Sequence, residues 1–155
     1  MRSTELDATL DVWRAASLAR GRPGDGPRLA RARSMLEAPT STAYVAVSTH
    51  VVGMTLVEPR CDEERRAIDG PAWIEISMAF VHPWAQRKGV GSALLRCVFA
   101  VARARRFTGV RVWTGTDNPQ AQRFYSSLGM VPTSRRAPGT LSEQMQYEFV
   151  FRDSA

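Results

Sequence analysis

The stretch from Trp73 to Thr116 constrains the fold more than any other part of the chain. Residues 73–82 (WIEISMAFVH) alternate, with Ile74, Ile76, Met78 and Phe80 on one side and Glu75, Ser77 and Ala79 on the other. That is the period-two pattern of a strand with one polar face. Pro83 interrupts it, and a glycine-bearing turn follows (QRKGVGS, 86–92). Val90, Leu94, Val98, Val101 and Ala102 then form an apolar stripe on a helix reaching about Arg106. Gly109 leads into a second strand, VRVWTGT (110–116). Two strands joined by a long helix rejoin one sheet only by crossing over it, so they are expected to be parallel, with a right-handed crossover. The expected class is α/β.

The flanking segments supply more elements of both kinds. Thr4 followed by Asp7 resembles a helix cap, and Leu6, Leu10, Trp13, Ala16 and Ala19 recur at helical spacing, which predicts a helix over about 5–20. GRPGDGP (21–27) is rich in breakers. Pro27 can open a second helix with apolar Leu29, Ala32, Met35 and Leu36, and Pro39 ends it. Residues 43–47 and 51–57 read as a hairpin closed by Pro59, and the charged run 60–71 reads as an exposed loop. Downstream, Asn118 and Pro119 look like the cap and first residue of a short helix carrying Ala121, Phe124, Tyr125 and Leu128, closed by Gly129. Residues 130–133 are expected to start a strand, and 143–151 to form the last one.

Composition narrows the class of function. The 155 residues suit one domain, 1–155, at ~100–200 residues per domain. The net charge of +6 favours an anionic partner. Arg103, Arg105 and Arg106 read as a solvated helix end, so no nucleic-acid surface is expected. Cys61 and Cys97 stand far apart, without CxxC spacing or a histidine cluster, which argues against zinc and for a reducing compartment. No apolar run approaches ~18 residues, and the amino terminus carries acids where a signal peptide carries an apolar stretch. A cytoplasmic protein with no membrane association is expected.

The turn at 86–92 is the strongest chemical signal. Gly89 and Gly91 lie where a helix begins, so backbone N–H groups there lack intrahelical partners and the helix dipole is positive. Such a turn can hold a phosphate, with Arg87 and Lys88 adding charge and Ser92 a hydroxyl. Lys88 is the only lysine among the 21 Lys and Arg residues. No Gly-Lys-Ser/Thr and no GxGxxG with a later acidic residue is present, which sets aside magnesium nucleotides and dinucleotides.

The order polar-faced strand, Gln86-x-x-Gly89-x-Gly91, amphipathic helix and strand, then Asn118, Phe124-Tyr125 and Leu128-Gly129-Met130, resembles the GNAT superfamily of acyl-CoA-dependent N-acetyltransferases. The likeness is detailed over 73–133. Met130 stands where the family usually has Phe, and no convincing strand precedes residue 5. The resemblance implies a mixed central sheet of about six or seven strands flanked by about four helices. It implies acetyl-CoA as co-substrate, without a metal, and a small-molecule or peptide amine as acceptor; a homodimer is compatible with it.

The same resemblance assigns residues. Gln86, Arg87, Lys88, Gly89, Val90, Gly91 and Ser92 would grip the diphosphate, and Asn118 belongs to the cofactor-binding signature. A backbone N–H near Phe80 or Val81 would receive the oxyanion. Tyr125 lies where family members place the tyrosine that meets the thioester sulfur, a task that suits a phenol. Glu75 is the only carboxylate between Asp69 and Asp117 and sits on the polar face of the strand feeding the loop. A glutamate at a similar place is the base of the GNAT histone acetyltransferases, and Ser77 on the same face could hold a relay water. His82, next to Pro83, reads as a surface or capping residue. The loops 20–27, 58–72 and 133–142 would define the acceptor site. The alternative reading is a non-catalytic acyl-CoA-binding sensor, for which the phosphate loop alone suffices.

Overall fold

A computed structural model describes residues 3–60, 73–139 and 141–152. In chain order it contains α1 (Ser3–Ala19), α2 (Gly26–Glu37), β1 (Thr42–Val47), β2 (Val51–Arg60), β3 (Trp73–Val81), a short 3-10 turn (Pro83–Ala85), α3 (Val90–Ala104), β4 (Gly109–Gly115), α4 (Pro119–Ser127), β5 (Val131–Ala137) and β6 (Gln144–Val150). The strands form one sheet in the order β1-β2-β3-β4-β6-β5. β3 and β4 run parallel, as the crossover requires, while β1–β2, β4–β6 and β5–β6 are antiparallel. The fold is therefore α/β with a mixed sheet. No described helix is long and apolar enough to cross a membrane.

Two compact units divide the chain. One draws its described residues from Met1–Glu58 and Met78–Val98, the other from Pro59–Ser77 and Phe99–Ala155.

In the first unit the apolar stripes of α1 and α2 close over β2. Leu6, Leu10, Trp13, Ala32 and Leu36 bury against Met54 and Leu56, both fully inaccessible, and against Met78. Trp13 meets Phe80 edge-on at 6.4 Å. Truncating a side chain such as Leu56 to Ala would cost about 2–5 kcal/mol here. On β2, a Cβ at Gly53 would lie 2.8 Å from Val90 Cγ1 and 3.1 Å from Leu94 Cδ1, so the missing side chain lets the start of α3 sit close on the strand. That contact positions the turn leading into α3.

In the second unit β4 is central. Its register with β3 runs from Trp73↔Gly109 to Ile76↔Val112, and with β6 from Gly109↔Val150 to Gly115↔Gln144. Ile74, Ile76, Val110, Val112, Tyr125 and Tyr147 are buried, and Phe99 of α3 stacks on Phe149 at 4.9 Å.

Three boundaries differ from the sequence reading. α1 begins at Ser3, which puts Thr4 inside the helix rather than at its cap. β2 continues through Pro59 to Arg60, because the fixed φ of proline is compatible with extended chain. β5 runs on to Ala137, into the 133–142 stretch expected as a loop, with a register shift between Pro132 and Arg136 that absorbs the irregular pairing. Most of the expected 60–71 loop lies outside the described residues.

Candidate cofactor and catalytic site

The turn between β3 and α3 belongs to the first unit, with Phe80, Val81 and all of Gln86 to Ser92. Pro83–Ala85 forms a single 3-10 turn whose buried Ala85 anchors the segment, while Gln86 to Gly89 are exposed. Gln86 Nε2 donates to the carbonyl of Val81 at 3.2 Å. Two residues adopt left-handed backbone, Arg87 at φ 58 and Gly89 at φ 82. For a non-glycine residue such as Arg87 that conformation costs of order 1–3 kcal/mol and persists only where its surroundings enforce it. At Gly89 the conformation is free of strain, and among the described residues no atom beyond its chain neighbours lies within 4 Å of where a Cβ would be.

Gly89 also sets the helix start. Its carbonyl accepts from the amide of Ala93 at 2.9 Å, so the amides of Val90, Gly91 and Ser92 precede the first intrahelical donor. The first turn of α3 carries no acidic residue. Three donors aligned at a positive dipole end, beside an open glycine and the side chains of Arg87 and Lys88, fit a diphosphate. Lys88 Nζ stands 5.6 Å from the Trp84 ring centroid, and Trp84 in turn lies 5.3 Å from the His82 ring. Trp84 is exposed, at the rim of this turn. His82 donates its backbone N–H to Val52 O at 2.8 Å, while its Nδ1 is buried without a hydrogen-bond partner among the described residues.

Glu75, Asn118 and Tyr125 belong to the second unit. Asn118 caps α4 by accepting the Ala121 amide on Oδ1 at 3.2 Å, and Pro119 occupies the first turn, as the sequence predicts. The turn before it is pinned: Gln122 Nε2 donates to the carbonyls of Gly115 and Thr116, both at 3.1 Å, and Ser142 Oγ donates to Asp117 Oδ1 at 2.8 Å. Tyr125 is 7% exposed, its ring 5.4 Å from Phe124 and 6.2 Å from Tyr147. Beside this turn, between Arg136 and Glu143, lies an open-sided cavity of about 560 Å³. Its lining, from the end of β5 to Glu143, overlaps the 133–142 stretch expected from the sequence at the acceptor site.

Glu75 is half-buried on β3, opposite Arg111 of β4 in register. Arg111 and its partner Glu148 do not appear in the sequence reading of the site, which takes Trp73 as a residue that could line the acceptor cleft. The signal was present as three isolated charges in otherwise uncharged strands, but only the register aligns them. Among the described residues no group of three or more His, Cys, Asp or Glu side chains could hold a metal ion.

A family model described as "Acetyltransferase (GNAT) family" matches residues 9–130. No curated protein sequence matches the chain. Among solved structures, the ribosomal-protein-S18-alanine N-acetyltransferase from Escherichia coli superposes with a TM-score of 0.72 at 17% identity, covering 100% of this chain and 93% of that one. NAA60 of Arabidopsis thaliana in complex with acetyl-CoA gives 0.70 at 14% identity, covering 97% and 95%. An acetyltransferase from Streptococcus agalactiae gives 0.73 at 15% identity, covering 97% and 94%. At these identities the structures speak for a shared fold.

Proposed function

Because this chain belongs to the GNAT acetyltransferase family, we propose that residues 1–155 work as one N-acetyltransferase domain, moving an acetyl group directly from acetyl-CoA to a primary amine of a small molecule or peptide. The observation that carries the reading is the start of α3, where the amides of Val90, Gly91 and Ser92 stand ahead of the first intrahelical donor and Gly89 leaves their approach open. A protein alanine is the named substrate of one structural neighbour, which supports a peptide amine as one acceptor class.

When bound, acetyl-CoA supplies a thioester carbonyl for the amine to attack. The turn residues Gln86 to Ser92 hold the diphosphate through backbone donors, and Arg87 and Lys88 add positive charge. An amide at Phe80 or Val81 donates to the carbonyl oxygen as negative charge develops there. An alkyl amine of pKa ~10.4 is neutral at pH 7 in only about one molecule in 2,500, a penalty of about 4.6 kcal/mol. Glu75 takes that proton, directly or through a water shared with Ser77. Tyr125 donates its hydroxyl proton, or a hydrogen bond, to the departing sulfur. Asn118 fixes the start of the helix that carries Tyr125. Reliance on acetyl-CoA and a chain with only two cysteines fit a cytoplasmic enzyme.

The test is thiol release from acetyl-CoA by purified protein against a panel of amines: alkyl monoamines, polyamines, amino acids, and peptides with free N-termini. Amine-dependent release supports the transferase. Binding of acetyl-CoA with no turnover on any amine overturns it in favour of a sensor.

A further inference from the structure

Three strands of the sheet, β3, β4 and β6, lie next to one another in that order and carry a single charge each. Glu75 is the sole charged residue of β3, Arg111 of β4 and Glu148 of β6. The registers pair Glu75 with Arg111 and Arg111 with Glu148. Three lone charges thus rise in one row from the same face of neighbouring strands, which lie about 4.8 Å apart.

The middle member of the row is held on two sides. Arg111 Nε lies 3.4 Å from Glu148 Oε2, with side chains only 16% and 25% exposed, so this pair is screened far less than a surface ion pair. The guanidinium carbon sits 3.6 Å from the centroid of the Trp73 ring. Trp73 reaches across because its register partner is Gly109, where a Cβ would come within 2.6 Å of the indole. A guanidinium presents its five donors in a rigid plane, so fixing one edge and one face fixes the direction of the rest.

We propose that Arg111, clamped by Glu148 and Trp73, is the positioning residue for Glu75: it holds the carboxylate in the orientation from which that group takes the acceptor's proton. The inference rests on Glu75 as the proton acceptor, as proposed above.

A double-mutant cycle tests it, with thiol release on the best amine of the panel, acetyl-CoA affinity by calorimetry and thermal melting as readouts. Glu75→Gln is expected to lower kcat about 100-fold. Arg111→Met keeps an unbranched apolar stem beside Trp73 and is expected to lower kcat about 10-fold, with acetyl-CoA affinity within about twofold. The pair together should fall no further than Glu75→Gln alone, because Arg111 acts only through that carboxylate. Should Arg111→Met melt too early to assay, Arg111→Lys keeps the charge but loses the planar fork. It should cost about 3–10-fold in kcat, again with no added loss when combined with Glu75→Gln. Losses that multiply, or Arg111 variants with wild-type kcat, overturn the inference while leaving Glu75 as the base. A Glu75→Gln protein with wild-type kcat overturns both readings.

Discussion

The side-chain Nε2 of Gln86 donates to the carbonyl oxygen of Val81 at 3.2 Å, tying the first residue of the candidate diphosphate turn to the last residue of β3. Val81 is also one of the positions proposed to offer an amide to the thioester oxygen. A single hydrogen bond therefore links the proposed diphosphate grip to the strand end that would carry the oxyanion donor.

The first prediction concerns this turn. CoA and acetyl-CoA should bind at micromolar levels without added metal, as read by calorimetry, because the donors are backbone amides at a helix start. Gly89→Glu should abolish binding, since it puts a side chain and a negative charge into space now open, at a φ of 82 that a glutamate adopts only with strain. Gln86→Ala should weaken binding several-fold by freeing the turn from Val81. Arg106→Ala, beyond the opposite end of α3, should leave affinity within about twofold.

A second prediction separates Glu75 as a base from Glu75 as a scaffold. A base is needed only while the amine is protonated, so the deficit of Glu75→Gln should be largest near pH 7 and shrink toward the amine's own pKa of ~10.4. The check is a kcat profile of both proteins from pH 7 to about 10. An equal deficit at every pH would assign Glu75 to substrate positioning.

What the sequence makes legible here is local. The strand, turn, helix and strand from Trp73 to Gly115 are readable because period two gives way to period 3.6 within one segment, and Asn118-Pro119 is readable because capping depends on adjacent residues. The row Glu75, Arg111, Glu148 is not readable, because it depends on the register of strands far apart in sequence, which no local pattern encodes. Trp73 shows the same limit. In the sequence it is a large apolar residue at a strand start, and only its pairing with Gly109 lays it on Arg111.

The third prediction concerns stability and follows from two helix ends built alike. α4 closes with Met130 N donating to Tyr125 O and Gly129 N to Ser126 O, around Gly129 at φ 85. α3 closes with Phe107 N donating to Ala102 O and Arg106 N to Arg103 O, both at 3.0 Å, around Arg106 at φ 62. The bonding pattern is the same, but at α3 an exposed arginine occupies the left-handed position where glycine carries no Cβ penalty. Arg106→Gly should therefore stabilise the protein by about 0.5–1 kcal/mol and raise Tm by about 1–4 °C in a melting experiment. Gly129→Arg, the reverse exchange at α4, should lower it.

The last prediction concerns Tyr125, where a packing role and a chemical role differ by one oxygen atom. The ring is 7% exposed and packs beside Phe124 and Tyr147, so the residue would be retained for its bulk alone. Tyr125→Phe keeps the ring and both aromatic neighbours and removes only the hydroxyl, so the two roles separate in kcat. If the hydroxyl meets the departing sulfur, kcat should fall by ~10- to 10³-fold, the range for losing one donor or acid in the transition state. Acetyl-CoA affinity should barely move, because the diphosphate grip lies on other residues. The loss should also depend on the leaving group: an acyl donor with a more acidic thiol needs less help to depart, so the variant should recover part of its rate on such a donor. A Phe variant with full kcat on acetyl-CoA would make Tyr125 a packing residue, and the thiolate would then take its proton from solvent or from the ammonium formed as the amine attacks.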